Sequence, residues 1–171
     1  MLEIEGKIKV ENLESLRQNL LSLGARLERE RFSEDNTLYD FRSRSLYQKR
    51  CALRLRLVGK KVFLTFKGTP QKSRRFKVRE EFETEVRDEK QIKKILRALG
   101  FVAVFSYRKH RTLFRTNRLK ICLDETAAGN FCEFEGERSD IIKFVKKLGF
   151  SSADLIKLDY VQLLQRTAKK A

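Results

Sequence analysis

The first ten residues carry charged side chains at every second position. The odd positions hold Glu3, Glu5, Lys7 and Lys9, and apolar residues fill most of the even ones. Successive side chains of a β-strand point to opposite faces, so the segment predicts a strand with one apolar and one charged face. Two carboxylates two residues apart on a strand have Cα atoms roughly 7 Å apart. Both can turn toward one hard cation, with an anion held by the lysines beside it. The alternative is a solvated, charged edge strand.

The same alternation of apolar and charged residues returns in later segments. Leucines alternate with Arg54 and Arg56, and the chain then reverses at Gly59 so that Lys67 returns beside the arginine pair. Other segments place the following residues on one face: Lys77, Arg79, Glu81, Glu83 and Glu85; Tyr107, Lys109, Arg111 and Arg115; Lys120, Cys122 and Asp124; Glu133 and Glu135. These carboxylates, lysines and arginines are the candidates for any chemistry.

Eight strands and four helices are predicted to position these side chains. The strands are expected at residues 1–10, 37–41, 51–58, 62–67, 77–87, 105–115, 119–124 and 131–136. Helical periodicity predicts helices at 12–23, 88–99, 139–148 and 152–165, the first three of which are followed by glycine. Residues 25–36 are charged and irregular and carry no assignment, and the tail 166–171 is expected to fray.

Composition restricts the functional classes. The chain has 171 residues, 41% apolar residues and a formal net charge of +16, which predicts one domain over residues 1–171 and a polyanionic partner. Its three cysteines form no close pair, and it has one histidine, which argues against disulfide frameworks and structural zinc sites. No signal peptide or membrane span is found, so we expect a cytoplasmic protein without a membrane partner.

Strands with one apolar and one charged face, together with amphipathic helices, favour an α+β fold. Helices must cover an apolar surface, so the charged faces point away from them. An eight-stranded antiparallel closed β-barrel with helices packed on its outside meets this requirement, because its bore can hold the charges and one small ligand. Each buried charge costs roughly several kcal/mol unless it is paired with an opposite charge or bound to a ligand. A divalent metal with a polyphosphate would complete the charge balance.

A series of motifs along the chain resembles the sequence signature of the CYTH family, also called triphosphate tunnel metalloenzymes. The motifs occur in the same order as in that family. The ExExK motif is matched by Glu3-Ile4-Glu5-Gly6-Lys7. The later motifs are matched by Leu53-Arg54-Leu55-Arg56, Leu64-Thr65-Phe66-Lys67-Gly68, Arg79-Glu80-Glu81-Phe82-Glu83, Lys109-His110-Arg111, Leu123-Asp124-Glu125 and Gly129-Asn130-Phe131-Cys132-Glu133-Phe134-Glu135. The segment 159–164 resembles the family's terminal S-Y-x-x-L-L helix, with Asp159 where serine is usual. The resemblance covers most of residues 1–165.

The resemblance implies a barrel that forms a triphosphate tunnel and works with Mg²⁺ or Mn²⁺. Carried over by motif, the metal ligands would be Glu3, Glu5, Glu81, Glu83, Asp124, Glu133 and Glu135. The triphosphate would be bound by Lys7, Arg54, Arg56, Lys67, Arg79, Lys109 and Arg111. The ExExK residues Glu3, Glu5 and Lys7 would be the catalytic ones. Carboxylates suit hard cations, and cations along a triphosphate neutralise the charge that develops as a P–O bond breaks.

The motifs do not separate the reactions of the family. The overall look is that of class IV adenylyl cyclases, which convert ATP to cyclic AMP and pyrophosphate. The alternative is a triphosphatase that hydrolyses thiamine triphosphate, inorganic triphosphate or a nucleotide. Tyr39, Phe41 and Tyr47 are candidates to stack on a base. A second alternative is a non-catalytic barrel that binds polyphosphate or RNA, although a nucleic-acid partner is less favoured than a small triphosphate. The oligomeric state is left open, with a homodimer as one candidate.

Overall fold

A computed structural model describes residues 2–169 of the chain. These residues form eight strands and five helices. In chain order the elements are β1 (Leu2–Val10), α1 (Leu13–Ser22), β2 (Arg26–Asp40), α2 (Ser45–Gln48), β3 (Ala52–Val58), β4 (Lys61–Lys67), β5 (Lys77–Val86), α3 (Glu89–Ala98), β6 (Val102–Arg115), β7 (Leu119–Thr126), β8 (Gly129–Gly136), α4 (Arg138–Lys147) and α5 (Tyr160–Ala168).

The strands close into a barrel in the order β1-β5-β4-β3-β2-β6-β7-β8. Neighbouring strands pair antiparallel; β3 and β4, for example, form a hairpin that turns at Gly59, whose φ of 60° is the left-handed conformation that glycine adopts readily. The predicted α+β fold with a closed eight-stranded antiparallel barrel is therefore confirmed.

The described chain divides into two compact units, each with its own apolar core. The first unit consists mainly of Ser33–Gln71 and Arg79–Arg108, and the second of Glu3–Phe32, Lys72–Val78 and the residues from Lys109 onward. In the first unit the core residues are Tyr39, Leu53, Leu55, Val62 and Leu96. The core of the second unit includes residues of β1, β7, β8, α1 and α4.

Helices α1 and α4 cover the apolar faces of the second unit's strands. Leu20 of α1 and Ile141 and Val145 of α4 are fully buried in the same core as Ile8 and Phe134. Because side chains alternate along a strand, the charged residues of β1 and β8 lie on the opposite face, which is the inner face of the barrel. The hydrophobic effect on the outside thus orients the charged side chains inward.

Strand β2 begins eleven residues earlier than the predicted strand 37–41. Its first half, in the region that carried no assignment, is held by ion pairs rather than by an apolar face. Glu30 accepts hydrogen bonds from Arg17 at 2.8 and 2.9 Å, and Glu28 accepts one from Arg115 at 3.0 Å. The alternation of apolar and polar residues does not detect a strand whose exposed side chains are charged and form ion pairs in this way.

The last helix also differs from the prediction. It was expected at 152–165 but runs from Tyr160 to Ala168, so residues 166–168 of the supposedly frayed tail are helical, while residues 170 and 171 lie outside the described chain. Asp159 fixes the start of the helix, because its side chain accepts a hydrogen bond from the Gln162 backbone N–H in a capping box. Before this cap, Ile156 exchanges backbone hydrogen bonds with Lys7 at 2.7 and 3.3 Å, so this part of the chain is extended.

Candidate active site

Each unit gathers one group of the predicted site residues. The first unit holds Arg54, Arg56, Lys67, Arg79, Glu81 and Glu83, which we call the Glu83 cluster. The second holds Glu3, Glu5, Lys7, Lys109, Arg111, Asp124, Glu133 and Glu135, which we call the Asp124 cluster.

The Glu83 cluster is organised by strand register. Thr65 pairs with Glu83 across β4 and β5 and with Arg54 across β3 and β4, which brings the three side chains together. The Glu83 carboxylate accepts hydrogen bonds from Thr65 Oγ1 at 2.6 Å and from Arg56 Nη2 at 2.8 Å, and Arg54 Nη2 lies 3.4 Å away. Burial alone would raise the pKa of Glu83, but Arg56, the Thr65 hydroxyl and Arg54 outweigh it and lower that pKa.

Two further ion pairs involve residues of the Glu83 cluster. Lys67 Nζ lies 2.5 Å from Glu81, its partner in the strand register. Arg56 Nη1 also donates to Glu34 Oε1 at 3.2 Å. Glu34 is 1% exposed and was not predicted as a site residue, because it lies in the part of β2 that periodicity missed. Arg79 is buried on the same face of β5, two residues before Glu81.

The Asp124 cluster is centred on a fully buried carboxylate. Asp124 is 0% exposed and accepts hydrogen bonds from Arg111 Nε and Nη2, both at 2.6 Å. Lys109 Nζ donates to it at 3.2 Å and the Tyr160 hydroxyl at 2.5 Å. Arg111 Nη2 also donates to Glu133 at 2.9 Å. Such charge-assisted hydrogen bonds with a two-pronged arginine are the strong ones in proteins.

Lys7 lies between two carboxylates in the same cluster. Its Nζ is 3.3 Å from Glu133 and 3.9 Å from Glu5, and it donates to the Leu158 carbonyl oxygen at 3.1 Å. Burial alone would lower the pKa of Lys7, but the charges of Glu5 and Glu133 outweigh it, so that pKa is raised. Lys7 is therefore held as an ammonium ion although its side chain is 1% exposed.

A close approach at Gly6 brings the C-terminal segment onto this cluster. A Cβ atom at Gly6 would stand 3.1 Å from Leu155 Cδ2 and 3.4 Å from a ring carbon of Phe76, so a residue without a side chain allows this packing. Ile156 then pairs with the Lys7 backbone, and α5 starts beside the cluster. Lys77 Nζ donates to the helix-capping Asp159 at 2.6 Å, which anchors the start of α5.

Tyr160 is a functional candidate that was not among the predicted site residues, although it is the tyrosine of the motif at 159–164. It is 6% exposed; Lys109 Nζ lies 4.5 Å and Lys7 Nζ 5.2 Å from its ring centroid. Burial and the charges of Asp124 and Glu133 raise the pKa of the Tyr160 hydroxyl well above its usual range, so it stays a donor. The sequence placed Tyr160 on the apolar face of a helix, and only the tertiary contact with Asp124 distinguishes it from a core residue.

The aromatic residues expected to stack on a base do not share a surface. Tyr39 is buried in the core of the first unit, and Tyr47 is 63% exposed on α2. The ring of Phe41 packs on that of Phe101, with centroids 4.2 Å apart. The described residues thus offer no joint stacking platform made of these three side chains.

The carboxylates match the ligand chemistry of a hard divalent cation, because oxygen donors are what Mg²⁺ and Mn²⁺ prefer. Glu3 and Glu5 lie on the same face of β1, and Glu135 pairs in register with Glu5. Glu135 also accepts a hydrogen bond from Lys120 at 2.7 Å. Within residues 2–169, no three His, Cys, Asp or Glu side chains are grouped closely enough to hold a metal ion. The donor types fit, and metal binding would require the carboxylates to exchange their lysine and arginine partners for the ion.

Most of the sequence matches one known protein family. Residues 1–158 match the family model of the CYTH domain. The chain belongs to the CYTH family. Members of the family are adenylyl cyclase-like or triphosphatase enzymes that act on triphosphates such as ATP and use divalent metals. The resemblance drawn from the motifs is therefore confirmed at the level of the family.

Proteins similar to the chain carry names of both kinds of enzyme. A Methanocaldococcus jannaschii protein named "Putative adenylate cyclase MJ0240" is 28% identical over 174 residues, covering 95% of this chain and 98% of that protein. A crystal structure described as "a putative adenylate cyclase" from Vibrio parahaemolyticus has a TM-score of 0.85 at 21% identity, covering 96% and 98% of the two chains.

A second similar structure is HpAC1 from Hippeastrum, whose description is "Putative adenylyl cyclase" with a dominant triphosphatase activity. Its TM-score is 0.66 at 22% identity, with 87% of this chain and 88% of that one covered. Both structural likenesses support the fold.

In residues 2–169 we find no helix with the length and apolar character needed to cross a membrane.

Proposed function

We propose that the protein is a divalent-metal-dependent enzyme that breaks a phosphoanhydride bond of a triphosphate bound by the inner face of its barrel. The observation that carries this proposal is the pairing of cations with carboxylates in both clusters. Arg56 with Glu83 in one unit and Arg111 with Glu133 in the other are examples, at 2.8 and 2.9 Å.

This pairing favours an enzyme over a simple anion-binding barrel. A barrel that only binds polyanions gains nothing from carboxylates that face its ligand, because they repel it. With a divalent cation, the carboxylates have a new partner, and the lysines and arginines become available to phosphate oxygens. Such an exchange keeps every buried charge compensated, which a buried site requires.

The positive side chains of the clusters would hold the triphosphate. Arg54 and Arg56 present planar guanidinium groups, which bind phosphate oxygens two at a time. Lys67, Arg79, Lys109, Arg111 and Lys7 supply further donors. Their fixed positive charges stabilise the negative charge that develops on the leaving phosphate as the P–O bond breaks.

Glu3, Glu5, Glu133 and Glu135 are the carboxylates of the second unit that we assign to Mg²⁺ or Mn²⁺, and Glu81 and Glu83 are the candidate metal ligands of the first unit. They lie on the inner faces of β1, β8 and β5. When bound, the ion would neutralise phosphate charge and lower the pKa of a bound water. The ExExK residues Glu3, Glu5 and Lys7 therefore keep their proposed catalytic role.

The reaction that we place first is the conversion of ATP to cyclic AMP and pyrophosphate. In it the ribose 3′ oxygen forms a bond to the α-phosphorus while the bond from that phosphorus to the pyrophosphate oxygen breaks. The support is kinship, since a relative that aligns over 95% of this chain carries the name of an adenylate cyclase. We also propose that residues 1–171 act as one domain and that the protein works in the cytoplasm.

Hydrolysis of a triphosphate by water is the second candidate. It is favoured by the dispersed positions of Tyr39, Phe41 and Tyr47, which give a purine base no shared stacking surface. The triphosphatase activity named for the similar HpAC1 structure is in keeping with it. Inorganic triphosphate, which has no organic end, needs no such surface.

Phosphorus NMR of the products tests the proposal. Purified protein is incubated with Mg²⁺ or Mn²⁺ and, separately, with ATP, inorganic triphosphate and thiamine triphosphate. Cyclic AMP with pyrophosphate identifies a cyclase, and orthophosphate identifies a triphosphatase and its substrate. If no substrate is turned over while inorganic triphosphate still binds, the protein is a binding module and the proposed enzyme is wrong.

A carboxylate variant separates turnover from binding. Glu3→Gln should abolish turnover while leaving the affinity for inorganic triphosphate equal or higher, because one negative charge that faces the anion is removed. Glu85→Gln is the matched control, since Glu85 pairs only with the exposed Lys61 at 3.1 Å among the described contacts. Full activity of Glu3→Gln would contradict the assignment of Glu3.

A further inference from the structure

Asp124 has the carboxylate group of a possible metal ligand, but its contacts are hydrogen bonds from other side chains of the protein. An ionised carboxylate offers about four lone-pair sites to donors. Asp124 accepts four hydrogen bonds, two from Arg111 at 2.6 Å, one from Lys109 at 3.2 Å and one from Tyr160 at 2.5 Å. Its side chain is 0% exposed. Three of these donors share Oδ2 and the fourth, Arg111 Nε, uses Oδ1, so the protein itself engages both oxygens of this buried carboxylate.

We propose that Asp124 and Tyr160 are positioning residues that hold Lys109 and Arg111 for the phosphate oxygens, and that Asp124 does not bind the metal. This inference rests on the proposed function, and it reassigns one residue that the motif resemblance places among the metal ligands.

The cost of freeing Asp124 argues for this assignment. For Asp124 to become a metal ligand, Lys109 and Arg111 would have to give up their shared carboxylate, although they are 3% and 6% exposed. Arg111 would keep Glu133 at 2.9 Å, but Lys109, Arg111 and Tyr160 would all have to release the same fully buried carboxylate, where each lost hydrogen bond is costly. Glu135 lies under no such constraint, since its side chain is 33% exposed and pairs with a Lys120 that is 34% exposed.

The geometry of Arg111 shows what the anchor achieves. Asp124 engages Nε and Nη2, along one edge of the guanidinium plane, and Glu133 accepts from Nη2 as well. A guanidinium gripped along one edge cannot rotate about its long axis, so the direction of all five of its N–H donors is set. Fixing the donors before the substrate arrives reduces the entropy cost of binding.

Tyr160 supports the anchor from α5. Its hydroxyl donates to the same Asp124 oxygen that accepts from Lys109, Oδ2. Its ring lies 4.5 Å from the Lys109 ammonium and meets the ring of Phe131 edge-on at 5.8 Å. The Tyr160 side chain therefore contacts both Asp124 and Lys109, one of the two cations that Asp124 orients. Loss of the hydroxyl alone should loosen the cations without removing any charge.

Two binding measurements on the full chain test this inference. Calorimetry with inorganic triphosphate in EDTA reports the cations, and electron paramagnetic resonance of free Mn²⁺ reports the metal ligands. We expect Asp124→Asn to weaken triphosphate binding at least tenfold and Tyr160→Phe several-fold, with both leaving Mn²⁺ affinity within twofold of wild type. Glu85→Gln and Tyr47→Phe, on the exposed surface, are the matched controls.

A double variant adds a readout that a purely structural role would not give. If Tyr160 acts through Asp124, the loss in Asp124→Asn/Tyr160→Phe should be smaller than the product of the two single losses. If Asp124→Asn does not fold, Tyr160→Phe still decides the matter, because it removes one oxygen atom and no charge. Unchanged triphosphate affinity in Tyr160→Phe would overturn the inference.

The outcomes separate this inference from the proposed function. A tenfold loss of Mn²⁺ affinity in Asp124→Asn, with triphosphate affinity retained, would make Asp124 a metal ligand and overturn only the positioning role. Wild-type protein that binds triphosphate with the expected variant pattern but turns over no substrate would overturn only the enzyme. Wild-type protein that binds no triphosphate, either in EDTA or with Mn²⁺, would overturn both.

Discussion

Lys7 and Glu133 face each other across the pairing of β1 with β8, with Nζ 3.3 Å from Oε2. Both belong to family motifs at opposite ends of the sequence, 126 positions apart (133 minus 7). The Lys7 side chain is 1% exposed and that of Glu133 is 13% exposed, so this is a buried pair whose loss the protein cannot offset with water.

Glu133→Gln should therefore lower the free energy of unfolding by about 3 kcal/mol, the usual cost of breaking a buried ion pair, because it leaves Lys7 with the more distant Glu5 carboxylate, 3.9 Å away. The same change also weakens the contact with Arg111 at 2.9 Å. Urea unfolding of wild type and variant measures the difference. In Glu85→Gln, which breaks an exposed pair with Lys61, the loss should stay below about 1 kcal/mol. Equal losses in the two variants would show that Lys7 does not depend on Glu133.

Glu83 should make stability depend on pH on the acidic side. Its pKa in the folded protein lies below the ordinary value of 4.5, because Arg56, the Thr65 hydroxyl and Arg54 outweigh burial. A lowered pKa means that the folded state binds this proton less readily than the unfolded state, so the stabilisation is complete above pH 4.5 and disappears as the pH falls through the folded pKa. Glu83→Gln should be less stable than wild type at pH 7.

The difference between wild type and Glu83→Gln should shrink steadily below pH 4.5, because wild-type Glu83 then becomes protonated too. Thermal unfolding between pH 3 and pH 7 measures it. Asp35→Asn serves as the control, since Asp35 pairs with Arg108 on the surface, where both side chains are about half exposed or more. A difference that is constant across the pH range would contradict the lowered pKa of Glu83.

The barrel and the residue types of both clusters could be predicted from the sequence for a simple physical reason. Inner-face residues recur with the period of a strand, and register then places Lys67 beside Glu81 and Thr65 beside Glu83. Such pairs between neighbouring strands follow from alternation once the hairpins are known. The apolar residues between them supply the independent signal that identifies the outer face.

Other parts of the site depend on contacts that no local pattern contains. Glu34 lies in a strand held by ion pairs, so apolar periodicity gives no sign of it. Tyr160 joins Asp124 only because Gly6 lets the segment around Leu155 approach β1. The motif resemblance places Asp124 among the metal ligands, and its four hydrogen bonds are the observation on which the proposed positioning role rests. Spacing can predict which charged residues share a face. Whether a carboxylate holds a neighbouring cation or binds a metal depends on its burial and on the geometry of its partners.

The three cysteines should differ sharply in reactivity. Cys122 and Cys132 are 2% and 0% exposed, and burial raises the pKa of Cys122 to about 12 and that of Cys132 well above its usual range. The thiolate is the reactive form, so both should be inert at pH 8. Cys51 is partly exposed and should react with Ellman's reagent. We expect one thiol per native chain and three in denaturant, and no fast reaction in Cys51→Ser. Two or more reactive thiols in the native protein would show that the Asp124 cluster opens.

Removal of the divalent metal should distinguish the role of the carboxylates from that of the lysines and arginines. If carboxylates such as Glu5 exchange lysine for a metal when substrate binds, EDTA should abolish turnover and weaken triphosphate binding, because the carboxylates again repel the anion. Added Mg²⁺ or Mn²⁺ should restore both. In Glu5→Gln the metal concentration needed for half-maximal turnover should rise at least tenfold, since a charged ligand is replaced by a neutral one, whereas Glu85→Gln should need the wild-type concentration. Turnover that persists in EDTA would mean that lysines and arginines alone carry the reaction, and the carboxylates of both clusters would then serve to hold those cations in place.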